Sequence, residues 1–167
     1  MFTIKTISST GIPDAMAKAE QYRLLNYPVA AESICLDILE VDPDNQHAAI
    51  TLLLARTDQF HLSRGATVEQ AREVLPRLTS AYDRLYYAGL IAERRGRALI
   101  LASGTGTSQR AYKWYREAMD HYQEAEPLSP GNNDDAVLRW NTCARFLNSH
   151  PHLAPRDEVE QVHLLGE

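Results

Sequence analysis

The sequence predicts an all-α chain built from antiparallel helix pairs. Three observations lead there. Apolar residues recur at three- and four-residue spacing through most of residues 13–147. Proline, glycine and Asx residues cut that pattern into seven segments of helical length. Only residues 2–7 alternate like a strand, and no second strand is available to pair with them.

The first helix is expected from Pro13, because proline suits a position whose N–H has no intrahelical partner. Its stripe is Ala15, Ala19, Tyr22 and Leu25, and Asn26-Tyr27-Pro28 ends it. The second helix starts near Pro28 and carries Ala31, Ile34, Cys35, Ile38 and Leu39. It stops at Asp42-Pro43, since proline disfavours helical geometry in the residue before it. Asp44 or Asn45 caps a third helix that runs to about His61, with Ala49, Leu52, Leu53, Arg56 and Phe60 on its periodic face. After a loop at 62–66, Thr67 and Gln70 form a capping box for a fourth helix with Ala71, Val74, Leu75 and Leu78 inward. Pro76 should kink it or end it early. Ser80 and Asp83 read as a second capping box, opening a long fifth helix from 81 to about 101.

Residues 103–108 are a glycine turn. The sixth helix, 109–126, sets Ala111, Tyr115, Ala118, Tyr122 and Ala125 on a narrow seam of small and aromatic residues. The seventh is 134–148, and 157–165 is a short last helix. The expected organisation is an N-terminal segment 1–12, a helical domain 13–148 and a tail 149–167.

Composition bounds the function. The chain has 167 residues, 44% of them hydrophobic, enough for a real core. Its 17 Lys+Arg against 22 Asp+Glu give a net charge of −5. That argues against nucleic-acid or anionic-membrane binding, which usually leaves a basic footprint. Cys35 and Cys143 sit far apart in apolar patterns, which favours free buried thiols in a reducing compartment over a disulfide. The first residues lack a basic-flanked apolar stretch, so no signal peptide is expected. The longest apolar runs, 48–55 and 98–102, are far short of the ~20 residues that span a bilayer. A cytoplasmic protein without membrane contact is expected.

The phrase Ala19-x-x-Tyr22-x8-Ala31-x3-Cys35-x2-Ile38-x4-Pro43, closed by Asp42-Pro-Asp-Asn45, resembles a tetratricopeptide repeat (TPR). Ile38 replaces the last small residue of that pattern. The ending recurs as Ala118-x3-Tyr122-x2-Ala125-x4-Pro130. Pro43 and Pro130 lie 87 residues apart, about 19 more than two repeats of about 34 occupy, so the middle departs from the pattern. The resemblance implies a short right-handed superhelix of about three irregular repeats with a C-terminal capping helix. Trp140 and Phe146 would cover its end, with Arg139 and Arg145 keeping that end soluble.

The resemblance also implies a protein-interaction module that takes a peptide or helical segment in a concave groove lined by the first helix of each pair. Carried onto this chain, the groove positions are Met16, Glu20 and Arg23, then His47, Thr51, Leu54 and Asp58. They continue with Glu93, Arg94 and Arg97, then Asn141 and Arg145. Positive charge towards the C-terminal half suits a partner with an acidic segment. Met16 and Glu20 stand where some family members carry a Lys/Asn carboxylate clamp, so an EEVD-type tail is not the expected ligand.

Each chemical motif has a plainer structural reading. The glycine turn lacks the lysine and preceding strand of a P-loop, so it reads as a helix–helix turn. Of six histidines only His150 and His152 are close, with no ligand set at diagnostic spacing; His47, His61, His121 and His163 read as surface residues. In Glu93-Arg94-Arg95-Gly96-Arg97, Glu93 and Arg97 are four apart and could pair. The arginines are either a solvated face paired to neighbouring carboxylates or a patch that binds carboxylate or phosphate. No nucleophile–base or paired-carboxylate arrangement stands out. The expectation is a non-enzyme with no cofactor and no metal. The alternatives are a small acidic secretion-type chaperone, a small-ligand or enzymatic pocket around Arg94 and Arg97, and a structural homo-oligomer.

Overall fold

The computed structural model describes residues 2–102, 104 and 106–155. Among them every regular element is helical: seven α-helices and four short 3-10 turns. The chain forms two compact units, Met1–Thr79 and Ser80–Glu167.

The first unit holds α1 (Ile12–Leu24), α2 (Pro28–Val41), α3 (Gln46–Thr57) and the short α4 (Val68–Arg72). Residues 2–7 form no regular structure, and a 3-10 turn at Ser9–Gly11 leads into α1. Helix α1 ends where Asn26 takes the left-handed conformation, with φ of 59°. The N–H groups of Asn26 and Tyr27 then donate back to the Arg23 and Tyr22 carbonyls at 3.0 and 2.8 Å. This satisfies the carbonyls that a helix end leaves open. Pro28 starts α2 at once.

Helix α2 touches α1 on one side and α3 on the other, and α1 also touches α3. The shared core is Ala19, Ala31, Cys35, Ile38, Ala49, Leu52 and Leu53. Tyr22, expected inside, is half-buried and meets Tyr27 edge-on at 6.4 Å. The Asn45 side chain accepts the Ala48 N–H at 2.9 Å, the expected cap of α3.

Helix α3 stops at Thr57, a turn before the expected His61. Gln59 supplies the reason. It is 3% exposed and donates to Glu32 at 2.6 Å and to the Ala55 carbonyl at 3.2 Å. Its amide oxygen accepts the Ala66 N–H, so the side chain holds the loop closed. A Cβ on Gly65 would lie 2.3 Å from the Gln59 carbonyl, so only glycine fits there. The Thr67–Gln70 capping box forms in full. Helix α4 ends at Arg72, and Pro76 lies in a 3-10 turn, Leu75–Arg77; Val74 and Leu78 stay buried. Gln46 accepts the Thr79 N–H at 2.8 Å and donates to the Arg77 carbonyl at 3.1 Å, clasping the end of the unit to the start of α3.

The second unit is α5 (Ala81–Ala102), α6 (Thr107–Ala125) and α7 (Asp135–Ser149). The Ser80 hydroxyl accepts the Asp83 N–H at 3.2 Å at the start of α5. Helices α5 and α6 form a long hairpin whose contact is a ladder of glycine against tyrosine. A Cβ on Gly89 would sit 2.7 Å from the Tyr122 ring, and one on Gly96 2.9 Å from the Tyr115 ring. The seam Ala111, Tyr115, Ala118, Tyr122 and Ala125 is buried throughout. Helix α7 covers the other side of α6, with Cys143 buried and Trp140, Phe146 and Leu147 packed around it. A 3-10 turn, Pro151–Leu153, also rests on α6. The expected last helix at 157–165 lies outside the described residues.

Candidate functional site

In the first unit, the sequence-selected residues of α1 and α3 stand together. His47 Nε2 lies 2.7 Å from Glu20 Oε1, and Arg23 Nε donates to Asp58 Oδ2 at 2.9 Å. Positions 47, 51, 54 and 58 follow one another at helical spacing, so Thr51 and Leu54 occupy α3 between the two cross-links. Leu54 is half-buried. Thr51 and Met16 are 3% and 6% exposed. Both were expected to line an open wall, but they are part of the floor beneath it. The Glu20–His47 pair is open to water and adds little stability. Its groups remain available to a ligand's polar atoms. Beside this face the α1–α2 turn exposes Leu24, Leu25, Tyr27 and Val29.

In the second unit the selected residues divide. Glu93, expected on an open face within reach of Arg97, points into the hairpin with its side chain 14% exposed. The Tyr122 hydroxyl donates to its Oε2 at 2.7 Å, and Arg139 Nη1 donates to its Oε1 at 3.2 Å. Gly89, one turn earlier on α5, lets the Tyr122 ring come close enough for that bond. Arg139, expected to face solvent, therefore ties α7 to α5. Nothing local in the sequence signals this, because the three residues come from three helices. Arg94 and Asn141 are half-buried, while Arg97 and Arg145 are exposed.

The electrostatics of this cluster follow from its burial. Burial first, then the Glu93 charge, pushes the Tyr115 phenol and the Cys143 thiol up to about 12. The same two causes raise Tyr122. Burial pushes the Cys35 thiol up to about 12 as well. These groups are neutral at physiological pH and unsuited to nucleophilic work. Both cysteines are free.

Phe146 stacks on Tyr115 at 4.5 Å and His150 stacks on Phe146 at 4.3 Å. The His150 and His152 rings are 5.8 Å apart. Among the described residues no group of three His, Cys, Asp or Glu is placed to hold a metal ion. Asp157, Glu158 and His163 lie outside those residues. His61 is exposed, but His121 is half-buried with its Nδ1 enclosed, unlike the surface residue expected. In the glycine turn, Gly106 is left-handed at φ of 74°, and the Thr107 hydroxyl donates to the Gly104 carbonyl at 2.7 Å. Ser103 and Thr105 lie outside the described residues.

No family model, curated protein or solved structure matches the chain. Among the described residues no helix is long and apolar enough to cross a membrane.

Proposed function

We propose that the chain is a non-enzymatic protein-interaction module, a TPR-like array that takes a peptide or helical segment on the face of its first helices. The observation that carries this reading is the α1–α3 face. There Glu20, Arg23, His47 and Asp58 converge over a buried floor of Met16 and Thr51, next to exposed Leu24, Leu25, Tyr27 and Val29. Polar groups fixed by mutual pairing beside apolar side chains suit a ligand with both kinds of contact. Helix α7 plays the capping role in this reading, its outer face carrying Asp135, Thr142 and Arg145. Two buried free thiols fit a reducing, cytoplasmic setting.

Selection from a displayed peptide library tests the reading. The parent chain should enrich a defined peptide class. The exchange Glu20→His with His47→Glu preserves the pair but reverses its polarity, so it should weaken selected peptides at least about tenfold at an unchanged melting temperature. No enrichment, or equal binding by the exchanged variant, would remove the α1–α3 face as the binding site.

A further inference from the structure

We propose that α1 is a self-association surface. It packs antiparallel on α1 of a second copy of this chain, and residues 2–7 of each copy lie on Leu24 and Leu25 of the other. Helix α1 has one buried side, with Met16 and Ala19. Asp14, Ala17, Lys18, Gln21 and Leu24 are exposed, and helical spacing puts them together on the side away from that core. Leu25, the exposed C-cap, continues this arc.

The charges on the arc are self-complementary. Asp14 and Lys18 are four apart, and among the described residues neither is in an ion pair within the chain. A parallel pairing of two copies would set like charges opposite each other. An antiparallel, two-fold pairing sets Asp14 of each copy against Lys18 of the other. That contact fixes a register in which the numbers of facing residues sum to 32, as 14 and 18 do. Ala17 then stands beside the two-fold centre and leaves room for the helices to approach. Leu24 faces residue 8 of the second copy, and Leu25 faces residue 7. The apolar turn at the end of one α1 thus meets the start of the other copy's leading segment.

That segment is the matching half of the contact. Phe2 and Ile4 are 102% and 85% exposed, and Leu24 is 89% exposed, so none of them is buried within its own chain. Nor can one chain bring Ile4 onto its own Leu25. The 3-10 turn and α1 carry the backbone roughly 26 Å from Ser8 to Leu25. The four residues from Ser8 to Ile4 reach at most about 14 Å. The occupant of Leu25 that this segment supplies therefore comes from a second copy, and burial of apolar surface at both ends favours the pair. Two short helices and two short segments make a small interface, so the dimer forms in the micromolar range.

Sedimentation equilibrium of the full chain at low salt, between about 2 and 200 µM, tests the proposal. The mean mass should rise from near 18.8 kDa towards twice that value. Asp14→Lys and Lys18→Asp each set like charges across the contact, and each should weaken the dimer at least about tenfold. Mixed in equal amounts, the two variants should dimerise with each other about as well as the parent does. A parent that stays monomeric, single variants that dimerise like the parent, or a mixture that regains nothing overturns the proposal. Should either charge variant fail to fold, Ile4→Cys mixed with Leu25→Cys must give a disulfide-linked dimer of one copy of each on oxidation. Cys35 and Cys143 are buried and do not compete. Absence of that product overturns the proposal equally. The contact depends on neither Glu20 nor His47, so the peptide selection can succeed or fail without it.

Discussion

The Tyr122 ring fills the space that a side chain on Gly89 would need, since a Cβ added there would lie only 2.7 Å from the ring. Interiors this closely packed tolerate added volume poorly. Gly89→Ala should therefore destabilise the second unit by about 1–3 kcal/mol, although alanine is the better helix former by about 1 kcal/mol. Urea denaturation measures it. A neutral or stabilising effect would mean that α5 and α6 can separate without cost. Ala118→Leu, on the same seam, should cost about as much.

Glu93 holds two donors from two other helices, so its removal and theirs should not be equivalent. Tyr122→Phe deletes one hydrogen bond and should cost about 1–2 kcal/mol. Glu93→Ala strands the Tyr122 hydroxyl and should cost about 2–4 kcal/mol, less than a fully buried ion pair because Arg139 is partly open to water. A double-mutant cycle should give a coupling of about 1 kcal/mol between Glu93 and Tyr122. Strict additivity would show that the bond does not form in solution.

The tyrosines fix a pH dependence. Burial pushes Tyr87 and Tyr115 up to about 12, above the ~10 of an unfolded chain. Above pH ~10 the unfolded state thus binds fewer protons than the folded one, and stability falls as pH rises. The loss should begin near pH 9, where the two thiols of the unfolded chain ionise while the buried ones stay protonated, and continue to about 12 as the tyrosines add to it; Tyr115→Phe should flatten its upper part. Urea midpoints that stay constant from pH 9 to 11.5 would contradict this.

Cys35 and Cys143 should resist labelling. With both thiols pushed up to about 12, only about one in 10,000 is ionised at pH 8. Ellman's reagent should react with neither within minutes in buffer and with both at once in guanidinium chloride. Fast reaction of either in buffer would place it at the surface.

Much of the helical layout was readable because local signals set it. Pro28, Asn45, and Thr67 with Gln70 mark helix starts, and each acts within one turn of itself. The seam of α6 was readable for the same reason, since its period belongs to one helix. The end of α3 was not, because Gln59 binds Glu32 27 residues earlier. The candidate face was readable in part. The family resemblance, carried along the chain by helical spacing, put Glu20 and His47 among the groove positions, but it could not tell that Met16 and Thr51 are buried. Nor could it distinguish a Glu93 facing water from one facing Tyr122, because that depends on how α5 is turned against α6.

Helix α4 has only five residues, too few to persist as an isolated helix in water. Its support comes from α3, through Arg56 donating to the Gln70 carbonyl, and from the Gln46 clasp 31 residues before Arg77. That dependence sets an order of events. Helices α1 to α3 must associate before α4 has anything to form against. Those contacts are few, so within the helical part of the first unit residues 62–79 should open more readily than α1 to α3 and admit a protease there.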